Sequence, residues 1–249
     1  MGILNILKSI LNINKKIDLK TLPSQGLFYP PEFDLWIKKA NIDDITEYEY
    51  EFAEDMGTIL SKLKKIVKNN TILSNGFTFD DIKSMDIIFV FIEIVKFTNS
   101  KPFFLHDKTK SKIEFSEQTF NYFDPKTIQD VYNPIERNVQ IDGFRYTVPT
   151  MGVESCITNF IISKSFTPDS KKYETYSYDF IYFLGQKNNI SNDEIENLIQ
   201  IFNHDMDEDD KQKVRKIIHD LSFIASYSLI KDSQIIGLSS SINLQSVWK

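Results

Sequence analysis

The chain has 249 residues, of which 41% are hydrophobic and 26% charged; this balance fits one large or two small folded domains and excludes a disordered or collagen-like class. A net charge of −6 and only three arginines, Arg137, Arg145 and Arg215, argue against nucleic acid as a partner, since the overall field repels a polyanion and bidentate phosphate or guanine contacts are scarce. Cys156 is the single cysteine, which rules out an intrachain disulfide and a Cys-based zinc site and fits a reducing cytoplasm.

The opening MGILNILKSILNINKK places Ile3, Leu7, Ile10 and Leu11 on one helical stripe. Asn5, Lys8, Asn12 and Asn14 interrupt its apolar run, so neither a signal peptide nor a spanning helix is expected, and Ile6 breaks the myristoylation pattern. Residues 1–20 therefore read as an amphipathic helix that either packs on its own domain or acts as an arm for a partner or membrane surface.

LPSQGLFYPP follows at Leu22–Pro31. Pro23 and Gly26 predict a turn with glycine at a positive φ, as type II requires, and each X-Pro step favours extended backbone. The segment reads as a rigid ramp offering Leu27, Phe28 and Tyr29 to a contact. Phe33, Leu35 and Ile37 then alternate with polar residues, predicting a half-buried strand with Trp36 on its outer face. Asn41 and Asp44 signal a helix start, and Leu63 and Val67 continue its stripe toward Asn69. A second helix is expected from Thr78–Asp81 onward, with Ile82, Met85, Phe89, Ile92 and Val95 buried and DIIFVFIEIV apolar almost all round.

FFLHDKTKSKIEF and NVQIDGFRYTV read as hairpins, the second with a type I′ Asp142-Gly143 turn, and residues 116–133 between them read as helical. Beyond Pro149 helices dominate: 151–164, 169–184, 190–204 capped by the Ser191/Glu194 box, and 207–227. The tail QIIGLSSSINLQSVWK turns strand-like. The expected fold is α+β and predominantly helical, with an α+β lobe over 21–148 and a mostly helical lobe over 149–249.

Catalytic patterns are scarce. The glycines are too far apart for a GxGxxG or P-loop motif, no G-x-S-x-G or H-E-x-x-H occurs, and His106, His204 and His219 lack metal spacing. HDMDEDDK starts like a calcium loop at Asp205, Asp207 and Asp209, but Asp210 stands where glycine is needed and Lys216 where the bidentate glutamate belongs. It reads instead as an acidic first turn complementing a helix dipole. Cys156 lies beside Ile157 and Phe160 and reads as a packing residue; a Cys156-dependent hydrolase is the remotest alternative. Tyr173, Tyr176, Phe180 and Phe183 follow helical spacing and read as packing, not base-stacking, residues. No catalytic, cofactor or metal residue is assigned, and no enzyme activity is expected.

LPSQGLFYPPEFDLWIKKANIDDITEYE, SMDIIFVFIEIVKFTNS, YTVPTMGVESCITNFI and SSSINLQSVW occur in this order. Together they resemble the baseplate hub assembly family of T-even-type bacteriophages over most of residues 20–249. The resemblance implies a late phage protein in the host cell cytoplasm that promotes assembly of the central tail hub through contacts with other hub proteins, without cofactor or chemical catalysis. A structural subunit of the hub or central spike is the alternative. On this reading Ile3, Leu7, Ile10, Leu11, Leu27, Phe28, Tyr29 and Trp36 are the candidate partner-binding residues, with stable membrane association and nucleic-acid binding not expected.

Overall fold

A computed structural model describes residues 14–41, 43–44, 56–99, 104–106, 112–114, 120–121, 128–141, 143–165, 175–184, 188–225, 228–231 and 234–236. The fold is a mixed α+β arrangement, predominantly helical, with small antiparallel sheets.

Strands β1 (Asn14–Lys16), β2 (Leu35–Lys38) and β3 (Thr71–Leu73) form an antiparallel sheet in that order. The alternation read from sequence holds in β2: Leu35 and Ile37 are fully buried while Trp36 and Lys38 are half-exposed. Register aligns Lys16, Trp36 and Ile72 across the outer face. Helix α1 (Met56–Asn70) turns Leu63, Ile66 and Val67 inward and runs directly into β3. The expected helix start at Asn41 is present, with Asp44 N donating to Asn41 Oδ1 at 2.7 Å. The buried Asp44 carboxylate in turn accepts from Asn69 and Asn70, both at 2.9 Å, tying that start to the end of α1.

Helix α2 (Ile87–Asn99) buries Ile87 and every residue from Phe89 to Val95, as its all-round apolar run predicts. It does not begin at Thr78. Two 3-10 turns, Phe79–Asp81 and Ser84–Asp86, come first, because the backbone between them bonds elsewhere: Ser84 N donates to Pro149 O at 2.9 Å and Met151 N to Ile82 O at 2.8 Å. Hydrogen bonds given to a distant segment are not available to a helix.

Both hairpins form, β4 (Phe104–His106) with β5 (Lys112–Glu114) and β8 (Asn138–Ile141) with β9 (Phe144–Tyr146). Gly143 has φ +80°, as its turn position requires; Asp142 lies outside the described residues. The helix expected between the hairpins is corrected at both ends. Phe120–Asn121 is strand β6, paired with β10 (Ser228–Lys231), and Tyr132–Asn133 is strand β7, paired with β8. Pairing with remote partners overrides local preference there. β11 (Gln234–Ile236) completes the β11-β10-β6 sheet.

The helical stretch comprises α3 (Met151–Ser165), α4 (Thr175–Phe183), α5 (Asn192–Gln200) and α6 (Glu208–Ala225). Ser191 and Glu194 make the reciprocal capping box at α5. A π-helical turn at Ile201–Asp205 follows, and Asp207 Oδ1 then accepts from Asp210 N at 2.9 Å to start α6. The acidic run is thus a helix cap.

Apolar side chains gather in two cores. The first joins Ile17, the Leu22–Phe33 turn, β2, β3, α1 and α2, with only Met151 coming from the later half. The second joins α3–α6 with Ile128, Val139, Tyr146 and Val148, and receives Phe28 and Met85 from the earlier half. Val139, Tyr146 and Val148, which precede Pro149, belong to the second core because β8 and β9 pack on the helices that follow them.

Candidate functional site

The Leu22–Pro31 turn is tightly bonded. Leu27 N donates to Ser24 O at 3.1 Å across Gln25 and Gly26, whose φ values are +52° and +71°. Two successive positive φ values mark a type I′-like turn, not the type II turn expected from sequence. Gly26 is required at its position on two grounds: its φ, and a Cβ there that would sit 3.1 Å from Leu19 Cβ.

The turn sends adjacent aromatics into opposite cores. Phe28, 3% exposed, enters the second and meets Tyr132 edge-on at 5.8 Å; Tyr29, 1% exposed, enters the first and stacks on Phe33 at 4.3 Å. Leu27 is half-buried against the second core, and its carbonyl accepts from Tyr132 OH. The ramp therefore does not offer Phe28 and Tyr29 to a partner; burial of both rings is worth more than their exposure, and their assignment as contact residues is corrected. Trp36 does remain on an outer face, beneath Lys16 Nζ at 5.3 Å from its ring and beside Ile72, which is 41% exposed. Ile3, Leu7, Ile10 and Leu11 lie outside the described residues.

Behind the turn lies a buried polar post that sequence reading missed. Asp86, with no exposed surface, accepts from Ser24 N at 2.8 Å and from Tyr29 OH at 2.8 Å, while Lys83 N donates to Tyr29 OH at 2.9 Å. Burial lifts the Asp86 carboxyl to about 6 despite the bonds from Ser24 and Tyr29. Burial also lowers Lys83 to about 8, against the opposing pull of Asp86 and Asp81, and it pushes the Tyr29 hydroxyl well up. Lys83 Nζ stands 5.7 Å from the Tyr29 ring centroid. An Asp followed by a helical apolar run was the only signal in the sequence, and it is indistinguishable from an ordinary surface cap.

The opposite side of the turn is a groove of about 660 Å³. Lys16, Lys20, Gln25, Leu27, Pro30 and Arg137 are among the residues that line it. Arg137 arrives from the β7–β8 turn, where Asn133 Oδ1 accepts from Ile135 N and Glu136 N at 2.9 and 3.1 Å. Arg137 itself has φ +54°, and its Nη1 reaches Gly26 O at 3.4 Å. Beside the groove, Glu93 joins Lys15 at 2.6 Å to Lys96 at 3.0 Å. Burial opposes ionisation of Glu93, but these two bonds outweigh it and hold the carboxyl below its ordinary range.

Cys156 is half-buried on α3, with Sγ 3.7 Å from Asn188 O. Among the described residues no cluster of three or more His, Cys, Asp or Glu is placed to hold a metal ion, and no helix is long and apolar enough to cross a membrane. No protein-family profile, curated protein or solved structure matches the chain.

Proposed function

We propose that this chain is an assembly factor for the central hub of a phage tail baseplate, acting in the host cytoplasm through contacts with hub proteins and without chemical catalysis. One observation carries the reading beyond the linear resemblance. Three of the segments that bear the resemblance, those containing Leu22–Pro31, Ser84–Asn99 and Tyr146–Ile161, bond to one another: Ser24 and Tyr29 to Asp86, and Ser84 to Pro149. Segments that are far apart in sequence and interlock in space form one unit, which supports treating the matches as a set.

The test is mass spectrometry of purified tails beside pull-down from infected cells. An assembly factor co-purifies with hub subunits during infection and is absent from finished tails. Recovery from finished tails at fixed stoichiometry replaces this reading with the structural-subunit one. Failure to recover any hub subunit ends both.

A further inference from the structure

We infer that the groove outside the Leu22–Pro31 turn seats an acidic segment of a partner protein, with one of its carboxylates pairing with the Arg137 guanidinium. Three observations converge on it. Gln25 and Arg137 are the two non-glycine residues with positive φ among the described residues, at +52° and +54°, and both line this groove. Left-handed backbone at a residue with a side chain is held only where surrounding structure enforces it, and such sites gather at ligand clamps.

The Arg137 guanidinium is also under-bonded. Its Nη1 makes one long contact to Gly26 O at 3.4 Å, and its buried Nε donates to nothing among the described residues. An incoming carboxylate supplies the missing acceptor, and a planar guanidinium is matched to that ligand.

Charge sets the class of ligand. Lys16, Lys20 and Arg137 line the groove with Asp18 and Asp34, and both acids are engaged: Asp34 with Lys16 Nζ at 2.6 Å, Asp18 Oδ1 with Lys20 N at 3.0 Å. Lys20 and Arg137 are left facing the groove in a chain whose net charge is −6. A long polyanion is repelled by the whole protein, whereas a short acidic segment meets only the local cations. Leu27 and Pro30 supply apolar wall, and the β7–β8 turn that carries Arg137 also carries Ile135, 85% exposed. A volume near 660 Å³ suits several residues better than one ion.

This inference rests on reading the chain as a contact protein, but its test needs no phage component. Fluorescein-labelled hexaglutamate is titrated with the full chain at low salt, beside labelled hexalysine and a dT oligonucleotide. Hexaglutamate should bind saturably, and Arg137→Ala and Lys20→Glu should each weaken it about tenfold or more. Lys213→Glu, on α6, should leave it unchanged. Lys20 is exposed, so that variant decides the matter if Arg137→Ala fails to fold. No saturable binding, equal binding by all variants, or tighter groove-dependent binding of the oligonucleotide overturns the proposal. A negative titration removes the groove and leaves the assembly reading to its own test. Recovery of the protein from finished tails leaves the groove intact.

Discussion

The two cores are built from similar side chains on different elements. The first is a sheet capped by helices, aliphatic for the most part, with buried polar groups at Asp86 and at Asp44 with Asn70. The second is mainly helical and is also mostly aliphatic, but it holds a contiguous aromatic cluster: Phe180 stacks on Phe202 at 5.2 Å and meets Phe144 and Tyr146 at 5.9 and 6.5 Å. What joins them is also asymmetric. The first half lends Phe28 and Met85 to the second core, and receives Met151 in return. The comparison teaches that these are not two independent lobes on a string; each is completed by side chains from the other's stretch of chain.

Phe180→Ala tests that joint most severely. Removing a fully buried ring at the centre of the aromatic set should cost about 3–5 kcal/mol. In a Trp248→Phe background Trp36 is the sole tryptophan and reports on the first sheet. Unfolding followed by Trp36 fluorescence and by far-UV circular dichroism should then shift together. Separate midpoints would mean that the cores melt independently.

Gly26→Val acts on the connection itself. The φ of +71° and the 3.1 Å approach to Leu19 Cβ should make it destabilising by about 2–5 kcal/mol in urea titration. Unchanged stability would mean that the turn is not what holds Phe28 and Tyr29 apart.

Asp86→Asn sharpens the contrast through pH. The folded carboxyl titrates at about 6 against an ordinary 3.8, so its contribution is fully present below 3.8 and is lost as pH rises through about 6. The stability gap between wild type and Asp86→Asn should therefore narrow by about 3 kcal/mol across that window. A gap that widens with rising pH would show that Asp86 is stabilised as the anion instead. Ser191→Ala, which removes only the α5 cap, should cost about 1 kcal/mol by thermal melting. That loss marks the scale of a local change that neither core notices.

What the sequence revealed was what short-range chemistry encodes. The period-2 run at Phe33–Ile37, the Ser191/Glu194 box and the Asp142-Gly143 hairpin each carry their signal within a few residues, and each element is present. Strand β6 was hidden because two residues show no periodicity and its partner lies near Ser228. The split start of α2 was hidden for the same reason, since its cause is Pro149 and Met151. The groove was least legible. Arg137 looks ordinary in NPIERN, and its left-handed backbone follows from the turn around Asn133 Oδ1 together with the approach to Gly26.

The loan of Phe28 and Met85 to the second core also sets an order in time. Save for Met151, every member of the first core has been made once Val95 is synthesised. A nascent chain then holds all of that core but Met151 while the residues that cover Phe28 and Met85, from Ile128 to Leu221, are still to be made. At ribosomal speed that interval is on the order of ten seconds. During it the half-finished protein carries two uncovered apolar side chains, a seed on which the later helices condense and the point at which a chaperone would be expected to hold it.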